Sequence, residues 1–270
     1  MIVTTEAIVL KAMKYRDTSK IVTFYTRGFG KLRAVAKGAR SEKNKFGSAL
    51  DPLSRVVLVL YRKEHRDLHL VSQCDLKTSY RRLTADLDQM AAALSCLELL
   101  DQTSHDEERN DRLFSLTSQV LEVLDTGLVR PEVALSAFKL RLASLLGFAP
   151  SLDICAICGS SLHDGSKGPF WFRLATGSMV CNRCHQRTHE VIAMDTDAAS
   201  AGVRLSSAAR ALLSRCASAP LAELSDATWP AEGGNEIQGA LRLYLHRHFD
   251  HLRPLKSEEL FLNFNSKTLF

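Results

Sequence analysis

Two pairs of cysteines constrain this chain more than any other feature of its sequence. Each pair has the spacing C-x-x-C, as CAIC at Cys155–Cys158 and as CNRC at Cys181–Cys184, with 22 residues between the pairs. The segment FWFRLATGSMVC between them predicts a β-hairpin that returns through Ala175–Ser178. Each C-x-x-C turn points two thiolates at one ion, and the hairpin brings the two turns together. The spacing therefore predicts a tetrahedral four-sulfur site, which suits Zn²⁺.

Other interpretations of these cysteines are a redox-active dithiol, plain buried thiols, and a site that includes a histidine. A thioredoxin-like motif needs one C-x-x-C at the start of a helix in a βαβ unit, and the sequence shows neither. Four thiolate ligands leave no open position for water, so the predicted metal is structural and not catalytic. The nearby histidines that could substitute as ligands are His163, His185 and His189. The isolated cysteines are predicted to be buried apolar side chains: Cys74, Cys96 and Cys216.

The overall composition is that of a soluble globular protein with room for two or three domains. The chain has 270 residues, of which 46% are hydrophobic and 24% charged. No run of 18 apolar residues occurs, and the N-terminal sequence MIVTTEAIVLK lacks the basic region and cleavage site of a secretory signal. Seven cysteines, an odd number with four in tight pairs, fit a reducing compartment. We therefore expect a cytoplasmic protein.

The charge of the chain is unevenly distributed. Residues 1–80 contain 16 Lys and Arg against 7 Asp and Glu, a net charge of +9, whereas the other 190 residues contain 19 against 23. A basic N-terminal part on a mildly acidic remainder indicates a polyanionic partner. Composition alone does not distinguish DNA, RNA and lipid.

Residues 1–80 have the pattern of an all-β domain. The turn RGFGK at 27–31 predicts a hairpin, because its glycines supply the positive φ that a tight connection needs. Five short strands within 80 residues predict a closed barrel of the OB type, and an SH3-like barrel is the alternative. The candidate strands are rich in β-branched and aromatic residues: Thr4–Lys11, Lys20–Thr26, Lys31–Lys37, Arg55–Tyr61 and Asp67–Ser72.

Beyond residue 80 the apolar residues recur at helical spacing. The predicted helices begin near Asp86, Leu113, Pro131, Ser206 and Glu236, with Ser206 as an N-cap. The fold class is therefore an α+β multidomain protein. We predict an OB-fold domain at 1–80, a helical domain at 81–153 and 190–270, and a zinc-ribbon-like insertion with four cysteines at 154–189.

The stretch LRAVAKGARSEKNKF at 32–46 begins as a strand, breaks at Gly38 and continues as a cationic loop. In an OB barrel such connections flank the face on which oligonucleotides lie, so these cations are candidates for neutralising phosphates. Phe24, Tyr25 and Phe46 are candidates for a stacking surface. The alternatives are a solvated loop without a ligand and aromatic residues that belong to the barrel core.

No catalytic constellation stands out in the sequence. GFGK at Gly28–Lys31 lacks the spacing and the Ser or Thr of a phosphate-binding loop. A binding protein is therefore favoured over an enzyme. The alternatives are an RNA- or ribosome-associated OB/zinc-ribbon protein and an enzyme that uses the C-x-x-C pairs for thiol redox chemistry.

Several patches of the chain resemble the RecO family, whose members are bacterial recombination mediators. They are YRDTSKIVTFYTRGFGKLRAVAKGAR (15–40), FKLRLASLLGFAPSLDICAICG (138–159), the second cysteine pair and RPLKSEELF (253–261). The resemblance implies an OB fold, a helical domain and a zinc-ribbon-like insertion in a protein that is not an enzyme. It also implies binding to single- and double-stranded DNA, annealing of complementary strands, and cooperation with RecR in loading RecA onto DNA covered by single-strand binding protein.

The resemblance also assigns roles to particular residues. All four cysteines of the family pattern, Cys155, Cys158, Cys181 and Cys184, are present, so structural Zn²⁺ is expected. The residues that match the basic strand and loop of the DNA-binding barrel are Arg33, Lys37, Arg40, Lys43 and Lys45. In the family the helical body receives the acidic, Phe-ending tail of single-strand binding protein, and Lys139 and Arg141 are the residues predicted to form the charged rim of that pocket. The alternative is that they form the solvent-facing edge of their helix. The implied location is the cytoplasm, in association with the nucleoid.

Overall fold

The structure, a computed structural model, describes residues 1–63, 66–162, 168–192, 202–231 and 233–258. It divides into two compact units. Unit 1 comprises Met1–Gly127 and the segment that begins at Arg253, and unit 2 comprises Leu128–Leu252. The domain limits predicted from the sequence stay predictions.

Unit 1 is built around a closed five-stranded barrel with the strand order β1-β2-β3-β5-β4. Strand β1 pairs antiparallel with both β2 and β4, and β3 runs parallel to β5. This topology confirms the predicted OB-type barrel. The strands are β1 (Ile2–Tyr15), β2 (Ser19–Thr26), β3 (Gly30–Ala36), β4 (Arg55–Tyr61) and β5 (His69–Thr78).

The barrel closes because apolar residues alternate along its strands and point to one interior. In β4, for example, Val56, Leu58 and Leu60 are fully buried, whereas Val57 and Val59 between them are half-buried on the outer face. The loop after β3 contributes to the same core through Ala39 and Phe46.

Three helices follow the barrel in the chain: α1 (Arg81–Ala85), α2 (Leu87–Thr103) and α3 (Asp111–Thr126). Asp86 caps α2 by accepting hydrogen bonds from the backbone of Asp88 and Gln89. The connection between α2 and α3 returns to the barrel, where the Glu107 N–H donates to the Lys31 carbonyl at 2.9 Å. The segment after Arg253 packs on α2, and the hydroxyl of Ser257 donates to the Glu98 carboxylate at 3.1 Å.

Unit 2 combines helices with a four-stranded sheet of order β6-β8-β7-β9. The predicted hairpin is confirmed, because Phe170 pairs with Cys181 and Arg173 with Ser178 in antiparallel register. Ser206 is the predicted N-cap and accepts a hydrogen bond from the Ala209 N–H. The elements are α4 (Pro131–Leu145), β6 (Ser151–Cys155), β7 (Phe170–Arg173), β8 (Ser178–Cys181), α5 (Asn182–Ile192), β9 (Val203–Leu205), α6 (Ser207–Ser218), a 3-10 helix (Leu221–Leu224) and α7 (Gly234–His248).

None of the helices in the described parts of the chain has the length and apolar content needed to cross a bilayer.

Candidate functional site: the basic loop and the cysteine cluster

The loop that follows β3 is fixed to the barrel by its apolar residues. We call residues 37–45 the basic loop. Ala39 within it and Phe46 directly after it are buried in the barrel core. The Arg40 N–H donates to the Thr18 carbonyl at 2.9 Å, and the Asn44 side chain accepts from the Phe46 N–H at 2.9 Å. These contacts hold the loop backbone at one end of the barrel and leave its charged side chains outside.

All five cations that the sequence singles out are exposed to solvent. Arg33 lies on the outer face of β3, and the others belong to the basic loop: Lys37, Arg40, Lys43 and Lys45. The Arg40 guanidinium donates to the Arg16 carbonyl at 3.3 Å, and Lys45 Nζ donates to the Ser72 carbonyl at 2.8 Å. Across the described residues, none of the five forms an ion pair with a carboxylate. Their charge is therefore directed at solvent.

Other cations of the barrel are neutralised by nearby acids. Lys31 Nζ lies 3.3 Å from the Asp106 carboxylate and 3.8 Å from that of Asp101, and its side chain is 15% exposed. Arg62 forms an ion pair with Glu107, which holds the pKa of that carboxyl below its usual range although burial opposes the shift. Arg33 and the basic loop thus differ from Lys31 and Arg62 in having no carboxylate partner within the described ranges.

The aromatic residues suggested for a stacking surface are buried. Phe24 is 0%, Tyr25 1% and Phe46 5% exposed. Burial raises the pKa of Tyr25 to about 12, because the phenolate would have to form away from water. Sequence reasoning missed Arg16, an exposed cation in the turn between β1 and β2 whose carbonyl accepts from Arg40. Only the pairing of β1 with β2 and of β2 with β3 brings it near the basic loop.

The four paired cysteines meet in unit 2. The sulfur atoms of Cys155, Cys158, Cys181 and Cys184 all lie within 4.8 Å of one another. The hairpin places Cys181 at the end of β8, the parallel pairing of β6 with β8 brings Cys155 beside it, and the Cys181 N–H donates to Cys155 Sγ at 3.4 Å. Four thiols at this separation could bind one metal ion in a tetrahedral arrangement.

The environment of the cluster differs between its members. Cys155 and Cys184 are buried, whereas Cys158 is exposed. A hydrogen bond with the hydroxyl of Ser160, at 3.0 Å from Cys158 Sγ, lowers the pKa of Cys158 to about 6. By contrast, burial raises the pKa of Cys74 and of Cys216 to about 12, as expected for thiols that serve as apolar side chains.

Of the three histidines close to the cluster in the sequence, His185 is the one whose side chain the structure describes. The ring of His185 stacks on the Trp171 ring, with centroids 3.6 Å apart. His163 and the side chain of His189 lie outside the described residues. Of the described residues, the only group with the spacing of a metal site is the set of four cysteines.

The two residues predicted to bind a partner lie on α4. Lys139 is 3% exposed. Arg141 is half-buried and donates from Nε to the Cys216 carbonyl at 3.0 Å and from its terminal nitrogen to the Ala219 carbonyl. Burial lowers the pKa of Arg141. Arg141 therefore supplies donors to backbone carbonyls at the end of α6, and the partner-binding assignment of both residues stays a prediction.

The fold and these sites define an OB-barrel protein with a cationic surface and a separate four-cysteine centre. The family descriptions that match the sequence are "Recombination protein O N terminal" over residues 1–80 and "Recombination protein O C terminal" over residues 84–259. The chain therefore belongs to the RecO family of DNA repair proteins.

Individual relatives agree with this membership. The chain is 34% identical over 257 residues to DNA repair protein RecO of Geobacter metallireducens, which covers 94% of this chain and 97% of that protein. It is 30% identical over 250 residues to the protein of the same name from Koribacter versatilis, with 93% and 95% covered. The match to the Chlorobium limicola protein is 41% identical over 162 residues and spans 60% of this chain and 62% of that protein.

Proposed function

We propose that this chain is a non-enzymatic recombination mediator. It binds single- and double-stranded DNA, anneals complementary strands and, with RecR, helps to load RecA onto DNA covered by single-strand binding protein. These activities place it in the cytoplasm on chromosomal DNA. The proposal combines membership of the RecO family with the surface of unit 1.

The observation that carries the DNA-binding part is the set of exposed cations on a fixed backbone. Arg33 and the cations of the basic loop have no carboxylate partners among the described residues, whereas Lys31 and Arg62 do. A phosphate backbone that replaces solvent at these side chains releases counterions and makes affinity strongly dependent on salt. Contacts of this kind position the nucleic acid without reading its sequence, which suits a protein that anneals unrelated strands.

Charge reversal of the basic loop tests this proposal. We would change Lys37, Arg40, Lys43 and Lys45 to Glu and measure binding to a labelled single-stranded oligonucleotide across a salt series. Each phosphate contact contributes about −0.7 to the slope of log affinity against log salt concentration. Loss of four contacts should therefore reduce the slope by about 3 and abolish binding at physiological salt.

A matched control reverses four other exposed cations of unit 1: Lys63, Arg81, Arg82 and Arg112. This variant has the same net charge as the loop variant, so it should weaken DNA binding only through the overall electrostatic field of the protein. Equal losses in both variants would contradict a specific role for the basic loop. An RNA oligonucleotide of equal length tests the alternative, because a ribosome-associated protein should prefer it.

The mediator activity requires its own assay. We would measure the rate at which complementary strands anneal, and the assembly of RecA on DNA coated with single-strand binding protein in the presence of RecR. The loop variant should be slow in both reactions. Normal RecA loading by a variant that no longer binds DNA would contradict a role of the basic loop in RecA loading.

We further propose that the cysteine cluster holds Zn²⁺. Four sulfur donors with no oxygen ligand favour zinc over magnesium or calcium. When bound, the ion supplies four metal–sulfur bonds that hold the two cysteine turns together, and its binding energy contributes to the folding of this part of unit 2. The pairing of β6, β7 and β8 fixes the positions of the sulfur donors.

Metal analysis of the purified protein tests this proposal. We expect one zinc ion per chain, and little zinc in a Cys158→Ala variant, whose altered side chain is exposed. Cys74→Ala changes a buried thiol outside the cluster and should keep the full zinc content. Metal-free wild-type protein with reactive dithiols would instead support the redox alternative.

A further inference from the structure

An apolar row crosses the outer face of the barrel. Met13 on β1 pairs with Ile21 on β2, and Ile21 pairs with Val35 on β3. The neighbouring residues Ala12, Val22 and Ala34 point into the barrel. Because side chains alternate along a strand, those of Met13, Ile21 and Val35 point outward. Met13 is 53% exposed, and Ile21 and Val35 are partly exposed. We call these three residues the apolar row.

The charges on the two sides of the apolar row differ. On one side Lys11 and Arg33 flank Thr23, with which both are paired in register. Lys11 is held by Asp101 at 2.6 Å, whereas Arg33 has no ion-pair partner within the described ranges. On the other side lie the cations of the basic loop and Arg16 of the β1–β2 turn, with Asp17 as the acid of that turn.

A cavity adjoins the apolar row. It has a volume of about 200 Å³, and Met13 and Ile21 of the apolar row line it together with Thr23 and Arg33. Its far wall consists of Lys31 with Asp101 and Asp106, where the positive charge is neutralised. A polyanion is therefore attracted to the Arg33 side and the basic loop, and not to the far wall.

We propose that the apolar row contacts the unpaired bases of a single strand whose phosphates lie on Arg33 and the basic loop. This inference rests on the proposed function and specifies which form of DNA the barrel prefers. In a duplex the faces of the bases are stacked on each other and are not available to side chains of the barrel, whereas in a single strand they are. The row is aliphatic, so it offers bases a weaker and less selective surface than the aromatic side chains of many single-strand binding barrels.

The test separates bases from phosphates. Full-length wild-type protein would be titrated with an ordinary single strand and with an abasic strand that has the same number of phosphates. The ordinary strand should bind about fivefold more tightly, which corresponds to about 1 kcal/mol at 1.4 kcal/mol per factor of ten. A triple variant, Met13→Thr, Ile21→Thr and Val35→Thr, keeps residues suited to strands and should bind both strands equally.

A matched control places threonine on another part of the outer surface of the barrel. Ile2, Val57 and Val59 are outward apolar residues of β1 and β4, and their Thr triple variant should keep the fivefold preference. Met13→Tyr adds an aromatic ring at an exposed position. It should tighten binding of the ordinary strand several-fold and leave the abasic strand unchanged.

The outcomes distinguish this inference from the proposed function. Equal affinity of wild-type protein for both strands, with the basic loop still required, overturns the base contact and leaves DNA binding by the loop intact. A base preference that survives in the Thr variant of the apolar row places the base contact elsewhere and also overturns it. Failure of both strands to bind at low salt overturns the proposed function itself.

Discussion

The close approach of Gly30 to the connection between α2 and α3 provides a quantitative test of the fold of unit 1. Gly30 has a φ of +66°, and a Cβ atom at this position would overlap the backbone carbonyl of Glu108. Gly127 has a similar φ of +68°, but a Cβ atom there meets nothing within 4 Å. Alanine substitutions at Gly30 and Gly127 therefore separate the free-energy cost of a positive φ from the cost of the steric overlap with Glu108.

The magnitudes follow from these two environments. Gly127→Ala should cost about 1 kcal/mol of folding free energy, since alanine is strained at positive φ. Gly30→Ala carries the same strain and also pushes residues 106–109 away from β3. The displacement breaks the hydrogen bond from Glu107 to the Lys31 carbonyl, which contributes about 1 kcal/mol, and overpacks the contact by about 1–3 kcal/mol. We expect a total loss of about 3–5 kcal/mol.

Native-state hydrogen exchange of the β2 and β3 amides would measure both losses within unit 1. Tryptophan fluorescence is an internal control, because Trp171 and Trp229 both belong to unit 2 and should report little change. Equal losses for Gly30→Ala and Gly127→Ala would refute the argument, since they would show that the Glu108 carbonyl does not constrain Gly30.

Two further predictions concern single side chains. Arg141→Ala leaves the Cys216 and Ala219 carbonyls without their charged donor and should lower the stability of unit 2 by about 2 kcal/mol, measured by urea unfolding with tryptophan fluorescence; a change below about 0.5 kcal/mol would show that water replaces the guanidinium. Tyr25→Phe tests alkaline stability. The pKa of Tyr25 is about 12 in the folded protein and about 10 when unfolded, so above pH 10 the unfolded chain loses this proton first and wild-type stability falls. The Phe variant should lose about 1 kcal/mol less between pH 9 and pH 11, and parallel losses in the two proteins would contradict the assignment.

The sequence was sufficient to predict elements whose patterns are local. Alternation of apolar residues predicted the five barrel strands, and Pro131 and Ser206 correctly marked the beginnings of α4 and α6. The C-x-x-C pairs predicted a cluster because a short hairpin leaves few other arrangements. These features depend on neighbours within about thirty residues of one another.

Features that depend on pairing between distant segments were not predicted, or were predicted to be shorter than they are. Strand β1 continues to Tyr15, beyond its predicted end at Lys11, because its last residues pair with β2. These residues carry too few apolar side chains for the sequence alone to mark them as part of a strand. Strands β6 and β9 are short and form only because β8 and β7 offer partners. The apolar row could not be recognised in the sequence, because Met13, Ile21 and Val35 become neighbours only through the register of three strands.

The return of the chain to α2 has a consequence for synthesis on the ribosome. Ser257 hydrogen-bonds to Glu98, a residue 159 positions earlier, and the whole of unit 2 lies between them in the chain. At about 5–20 residues per second, a ribosome needs roughly 8–30 s to make that interval. The side of α2 that contacts Ser257 therefore lacks this contact during that time. Unit 1 begins to be synthesised first and is completed last.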